Sequence, residues 1–359
     1  MRTLISAWIL AGLVLCTALP ALASTDVTNK NSDSLQIGGY FRFVGWVRDN
    51  DEGTKKNNDS FRVRHARVAL KGKMPNNFSY KIQGDFAPST VKLKDGYLKW
   101  NNDEKTFYIM GGQFIVPYSY SMTTSSSGLI TVERPQAPVE MGPDRDIGIM
   151  IGGNFDTESD FTWALSATNG NTDDDYPFVD GGWSKKDDND PFMVAGRLEY
   201  GDKDDFLIGI DAAGSAIGGG SSGEQRLQQT LVGGHVVVGW DDDNEDEVNR
   251  WGFQGEYLWG ELDMDDSEYD EAHEYDGWWA LVSMWFDENW RGHVMVDQFD
   301  PNNDVDDDER MDFTLGISFH WMGWTKPDNE KFVIEYVHHD EAGTDIDDDE
   351  IRALWQLKY

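Results

Sequence analysis

The amino-acid sequence predicts an all-β fold, a 16-stranded antiparallel transmembrane β-barrel with long external loops, and three observations carry that prediction. From residue 35 to residue 359, short segments alternate apolar and polar side chains with period two, and each ends in a break rich in Asp, Asn, Gly or Pro. No apolar run after Leu19 reaches the roughly 18 to 20 residues that a membrane helix requires, so a membrane-embedded chain would cross with strands. The chain carries 15 Trp, 13 Tyr and 18 Phe despite a net charge of −36. Disordered acidic chains are poor in aromatics, so the combination points to acidic loops on a scaffold of apolar, aromatic strands.

The N-terminus reads as an export signal. Arg2 precedes an apolar stretch over residues 4–19, and Ala21-Leu22-Ala23 supplies the small-residue cleavage pattern before Ser24. The expected division is a signal peptide over 1–23, a short periplasmic segment over 24–34 and the barrel over 35–359. Cys16 is the one cysteine, and the bulky Leu15 before it argues against a lipid anchor there. Cleavage would leave a mature chain without thiols, stabilised by hydrogen bonding and packing rather than by disulfides.

The strands follow in order. Leu35, Ile37, Phe41, Phe43 and Val47 share one face of the first, and Phe78, Tyr80, Ile82 and Phe86 share one face of the third. Phe161, Trp163, Leu165 and Ala167 repeat the pattern, as do Phe206, Ile208 and Ile210. Met311, Phe313, Leu315, Ile317, Phe319 and Trp321 form the longest apolar row, opposed by Arg310, Asp312, Thr314, Gly316, Ser318 and His320. Strands are predicted over 35–47, 60–73, 77–86, 91–101, 105–115, 144–154, 160–169, 190–200, 204–213, 226–241, 248–263, 271–286, 291–299, 308–321, 329–340 and 349–359.

Short turns alternate with longer connections, the pattern of an outer-membrane barrel with periplasmic turns and external loops. Pro75, Asn76 and Asn77 make one such turn, whereas 49–59, 116–143 and 170–189 are long. The brief connection at 87–90 and the longer turn at 322–328 break the regularity. A secreted β-sandwich would also alternate but has little use for aromatics at strand ends. Trp46, Trp100, Trp240, Trp259, Trp285, Trp321 and Tyr336 are expected there as interfacial girdles.

A pore selects by the charges lining its lumen, which places function on the polar parity. Residues 42–105 hold 14 Lys and Arg against eight Asp and Glu in an otherwise acidic chain. Arg62 and Arg64 share the parity opposite Phe61 and Val63. Val68 and Leu70 have switched, which implies a β-bulge near His65 and Ala66 and brings Arg67, Lys71 and Lys73 inside. A second slip between Leu93 and Leu98 puts Lys92 and Lys94 inside with Tyr97 and Lys99. Arg42, Arg62, Arg64, Arg67, Lys81, Lys92, Lys94 and Lys99 would then form a basic stripe able to pass anions by charge-assisted hydrogen bonds. The alternative is that these bases pair with acids across the lumen and order water in a transverse field.

The connection at 116–143 is too long for a hairpin. Pro117, Pro135, Pro138 and Pro143, a Ser- and Thr-rich tract and the apolar pair Leu129-Ile130 suit a loop folded inward to narrow the pore.

Three motifs resemble a known family, that of the phosphate-selective porins O and P. They are Arg62-Val63-Arg64-His65-Ala66-Arg67 with Leu70 and Gly72; Gly112-Gln113-Phe114 followed by Val116-Pro117-Tyr118-Ser119; and Glu133-Arg134 followed by Asp144-Arg145-Asp146-Ile147-Gly148. The resemblance implies a trimeric 16-stranded barrel with an inward third loop, with Pro117, Tyr118, Glu133, Arg134 and Arg145 at its constriction. It also implies anion transport, phosphate in some members, although this chain is far more acidic outside its basic strands.

Acid clusters at 173–175, 241–247, 263–271, 304–309 and 345–350 fall mostly in connections and suit a hydrated surface or one bridged to lipopolysaccharide by divalent cations. Asp300, Asn302, Asp304 and Asp306 have the alternate spacing of a calcium loop without its glycine or terminal glutamate in place, so no metal or cofactor is expected. The acidity excludes nucleic acid as a partner. His338, His339 and Asp340 are the one grouping that would suit a barrel hydrolase, and no serine motif accompanies them. An energised receptor would need a plug domain, for which 24–34 is too short. The expected function is a porin of the outer membrane giving passive diffusion to small hydrophilic solutes, leaning to anions, with a general or cation-preferring porin as the alternative.

Overall fold

The computed structural model describes residues 25–29, 32–48, 59–170, 192–216, 226–239, 251–265, 272–342 and 349–359. The expected signal peptide, Trp240, most of the connections at 49–59 and 170–189 and the acidic stretches at 173–175 and 241–247 lie outside these residues, as does part of those at 263–271 and 345–350.

The described residues form one closed antiparallel sheet. A short strand β1 (Thr25–Asn29) precedes sixteen barrel strands: β2 (Ser32–Arg48), β3 (Ser60–Met74), β4 (Phe78–Asp85), β5 (Lys92–Asn101), β6 (Phe107–Ile115), β7 (Arg145–Asn154), β8 (Phe161–Thr168) and β9 (Phe192–Gly201) make the first half. The second half is β10 (Phe206–Ala216), β11 (Arg226–Val238), β12 (Trp251–Asp265), β13 (His273–Trp285), β14 (Trp290–Asp300), β15 (Arg310–His320), β16 (Glu330–Glu341) and β17 (Glu350–Lys358). Each barrel strand pairs with its sequence neighbours, and β17 closes on β2 from Lys358↔Tyr40 to Glu350↔Arg48. All sixteen predicted strands are present, with ends shifted by no more than three residues.

The segment expected to precede the barrel contains a paired strand. Thr25 to Asn29 pair with Ile37 to Ser32, and β2 begins three residues early. Backbone pairing explains it. The bonds between Tyr359 and Gly39 end the β17 ladder, leaving the edge of β2 below them without a partner, and β1 fills those backbone groups.

Side chains divide as the parity requires. In β15, Phe313, Leu315 and Ile317 are exposed on the outer face while Asp312, Thr314, Ser318 and His320 are buried on the inner. Aromatics cluster at the short-turn rim, where Phe161 lies 4.7 Å from Tyr200 and Phe319 5.1 Å from Trp321. Trp46 and Trp285 depart from the expected girdle. Both have lumen parity: Trp46 packs beside Val44 and Val132, and Trp285, 3% exposed, lies 4.7 Å from His320.

The hydrophobic core sits inside the barrel, between the third loop and the inner wall. Val116, Tyr118, Ala137 and Met141 from the loop pack on Met193, Leu231, Leu258 and Phe299 from the wall, while Ile130 packs on Trp279, Leu281 and Met295. Part of the lumen face is therefore apolar where the loop covers it, a departure from simple alternation. Burial of these apolar side chains favours the seated loop against the conformational entropy of so long a segment.

Candidate functional site

The third loop spans the gap between β6 and β7 and contains two short helices, α1 (Tyr120–Thr123) and α2 (Gln136–Met141). It folds inward, as its prolines and apolar residues predict, and lies against β9–β17. Four wall carboxylates accept its backbone N–H groups: Asp211 from Ser119 at 2.9 Å, Glu256 from Tyr120 at 2.6 Å, Glu335 from Val132 at 2.7 Å and Asp297 from Gln136 at 2.9 Å. Its carbonyls are held by bases and amides, with Arg42 donating to Val132 at 2.6 Å, Gln356 to Ser127 at 2.8 Å and Lys331 to Leu129. Gly277 lets α2 approach: a Cβ there would stand 2.4 Å from that of Ala137.

Both predicted bulges exist, one residue from where parity alone put the first. Arg42 faces His65 and Phe43 faces Val63, so Arg64 is the extra residue in β3; Lys94 is the extra residue in β5. Each bulge aims two successive side chains at the lumen, Arg64 with His65 and Lys94 with Asp95.

The eight stripe residues all take the inner face, but most of them are engaged. Arg64 grips Glu133 of the loop with two hydrogen bonds of 2.8 and 3.1 Å. Arg67 and His65 meet Asp85 at 2.9 and 3.0 Å. Lys81 pairs with Asp95, which also accepts from Arg145 at 2.8 Å, and Lys94 lies 3.4 Å from Asp144. Arg42 is enclosed, 1% exposed, under the loop. Arg62 stacks 4.5 Å over Trp46 and Lys99 lies 3.7 Å over Tyr108, while Lys92 is half-buried opposite Asp85. Of the two readings of the stripe, pairing with acids describes Arg64, Arg67, Lys81 and Lys94, and two of those acids, Glu133 and Asp144, come from outside the 42–105 stretch.

The expected constriction residues also separate. Pro117 borders the open lumen. Tyr118 is fully buried between loop and wall, its hydroxyl 3.4 Å from the Val232 carbonyl, because its aromatic ring fills the interface core. Arg134 binds the loop to itself through the carbonyls of Ser121 and Thr124, and burial pushes its guanidinium down to about 10. Burial raises the Glu133 carboxyl, yet the Arg64 hydrogen bonds and charge outweigh it and hold the group below its ordinary range. Arg145 opens β7 and bridges Asp95 to Asp144, 2.8 Å from each.

Beside the loop lies a cavity of about 500 Å3 against β4–β9. Lys81, Lys99, Lys105 and Arg197 line it against Asp95 and Glu199. Sequence reading missed Arg197 and Lys105 here; the parity of the strand holding Arg197 marks it as inward, whereas Lys105 sits in a turn with no periodicity to place it. His338 and His339 cannot act together, for strand alternation splits them: His338 meets Asp349 at 2.7 Å on the outer face and His339 meets Asp312 at 2.6 Å within. The Asp300 and Asn302 side chains accept the backbone N–H groups of Asn302 and Asp304.

Comparison with known proteins agrees with this architecture. No curated protein matches the chain. The outer-membrane channel DcaP of Acinetobacter baumannii superposes with a TM-score of 0.66 at 12% identity, over 94% of this chain and 100% of that one. An anion-selective porin from Comamonas acidovorans gives 0.65 at 10%, over 91% and 99%. The trimer form of OmpT, an outer-membrane protein of Vibrio cholerae, gives 0.59 at 8%, over 90% and 99%. The model of the family described as phosphate-selective porin O and P matches residues 39–183, so that stretch carries the sequence pattern of the family the motifs resemble, within a barrel that has the fold of the outer-membrane porins.

Proposed function

We propose that the protein is an outer-membrane porin through which small hydrophilic solutes diffuse passively, with a moderate preference for anions. The observation that carries this reading is the cavity beside the third loop, where four bases face two acids. The named activity of the Comamonas porin and the family likeness support the sign of the preference. Because Arg64, Arg67, Lys81 and Lys94 spend their charge on carboxylates, the preference is general rather than a tight phosphate site. The rest of the reading follows the same likeness: export with cleavage after Ala23, a homotrimer seated among lipid and lipopolysaccharide, and no catalytic role.

Reversal potentials across planar bilayers under a KCl gradient test it. Replacing Lys99, Lys105 and Arg62 together with Gln is expected to move the potential towards cation preference, with phosphate and chloride equally affected. A wild-type channel that prefers cations, or a triple variant with an unchanged potential, would remove the anion assignment.

A further inference from the structure

We propose that Asp211, His235 and Glu256 bind one divalent ion of the zinc type beneath the start of the third loop. The three residues come from adjacent strands β10, β11 and β12, His235 standing directly opposite Glu256. Their candidate ligand atoms lie within 4.8 Å of one another, and all three residues are at least nine-tenths buried.

Two atoms of the cluster point to a ligand. His235 Nδ1 and Asp211 Oδ2 are buried without a hydrogen-bond partner, and they face each other at 3.4 Å. Two donors on a tetrahedral zinc, each roughly 2.0 to 2.1 Å from the metal, stand about 3.3 to 3.4 Å apart, so the pair already has the edge of that polyhedron. The other ring nitrogen, Nε2, meets the Glu199 carboxylate at 3.1 Å, the outer contact that orients metal-bound imidazoles and raises their basicity.

The surroundings make room and balance charge. A Cβ at Gly209 would stand 2.4 Å from the His235 ring, and one at Gly233 would stand 2.6 Å from Asp211 Oδ1, so both notches hold the donors in place. Asp211, Glu199 and Glu256 are opposed by one guanidinium, Arg197, 3.8 Å from Asp211 Oδ2, which leaves a deficit that a dication neutralises. One imidazole and two carboxylates without a thiolate suit Zn2+ better than Cu+, and the nitrogen disfavours Ca2+ and Mg2+. Since Asp211 and Glu256 also hold the N–H groups of Ser119 and Tyr120, the ion would join the wall to the loop. The competing description is an imidazolium clamped between Glu199 and Asp211 with no ion.

The full chain, folded with and without ZnCl2 and checked by heat-modifiable electrophoretic migration, is dialysed against excess Mg2+ to clear the acidic surface, then assayed for zinc content and titrated with Zn2+ by calorimetry. One Zn2+ per chain is expected, with affinity lowered at least tenfold by His235→Ala or Asp211→Asn and about 10- to 100-fold by Glu199→Gln. No retained zinc, or an affinity unchanged in His235→Ala, overturns the site in favour of the imidazolium clamp. If that variant does not fold, Co2+ in the native chain decides: intense visible bands of a low-coordinate complex support the site, and the weak spectrum of hexahydrated Co2+ refutes it.

Discussion

Arg64 and Glu133 face each other in a fork of two hydrogen bonds, 2.8 Å from Nε and 3.1 Å from Nη2, joining the bulged residue of β3 to the third loop. The pair matches a partly exposed cation with an anion and tethers the loop to β3, beyond the strands of its main seat. Glu133→Gln removes the anion and leaves the guanidinium to the pathway. A shift of the reversal potential towards anions is expected in bilayer recordings, with little change in the thermal stability of the barrel.

The same pair sets an acid response. Because the folded carboxyl titrates below its ordinary value of 4.5, its contribution is complete above that pH and is lost as pH falls through the lowered value. Loop-dependent current noise should therefore rise below about pH 4.5 in the native channel, and Glu133→Gln should show that noise already at neutral pH. Recordings over a pH series give the comparison.

Glu335 on β16 holds the adjacent residue of the loop, accepting from Val132 N at 2.7 Å and meeting His293 Nε2 at 2.9 Å. Glu335→Ala leaves a buried N–H without a partner, at a cost of about 1–3 kcal/mol. The loop should spend more time displaced, giving larger conductance and faster cleavage by added protease within 116–143, read by gel after limited digestion.

Asp85 is enclosed by Arg67, His65 and the N–H groups of Ala66 and Ala87. Arg67→Met strands that carboxylate and should destabilise the barrel by about 3–5 kcal/mol, as broken buried pairs do. Heat-modifiable migration would shift to lower temperature, and Asp85→Asn added to Arg67→Met should restore part of the loss.

Leu315 is 61% exposed at the middle of β15, on the lipid-facing side. Leu315→Arg should cost about 2–4 kcal/mol when folding into bilayers, against almost nothing for Lys99→Gln on the lumen face. Folding titrations in urea with lipid vesicles distinguish the two.

Most of the barrel was legible because lipid on one side and water on the other impose strict alternation, so Phe313, Leu315 and Ile317 declare their face without any partner being known. The bulges were legible for the same reason: Val63 and Val68 cannot share a face unless a residue is added between them. The loop's seat was not. Val132 meets Glu335 across 203 residues of sequence, and no local pattern distinguishes a carboxylate that holds a backbone amide from one that faces water. Trp285 misled for a related reason, since an aromatic near a strand end fits a girdle until its register opposite Arg291 shows which way it points.

The seam where Lys358 meets Tyr40 unites the first and last barrel strands. Any partly assembled barrel, however many hairpins it has formed, keeps two raw margins until the final strand arrives, and each is a template for pairing with a stranger. Such non-local closure is intrinsically slow. The short strand β1 then covers the part of β2 that the seam leaves bare.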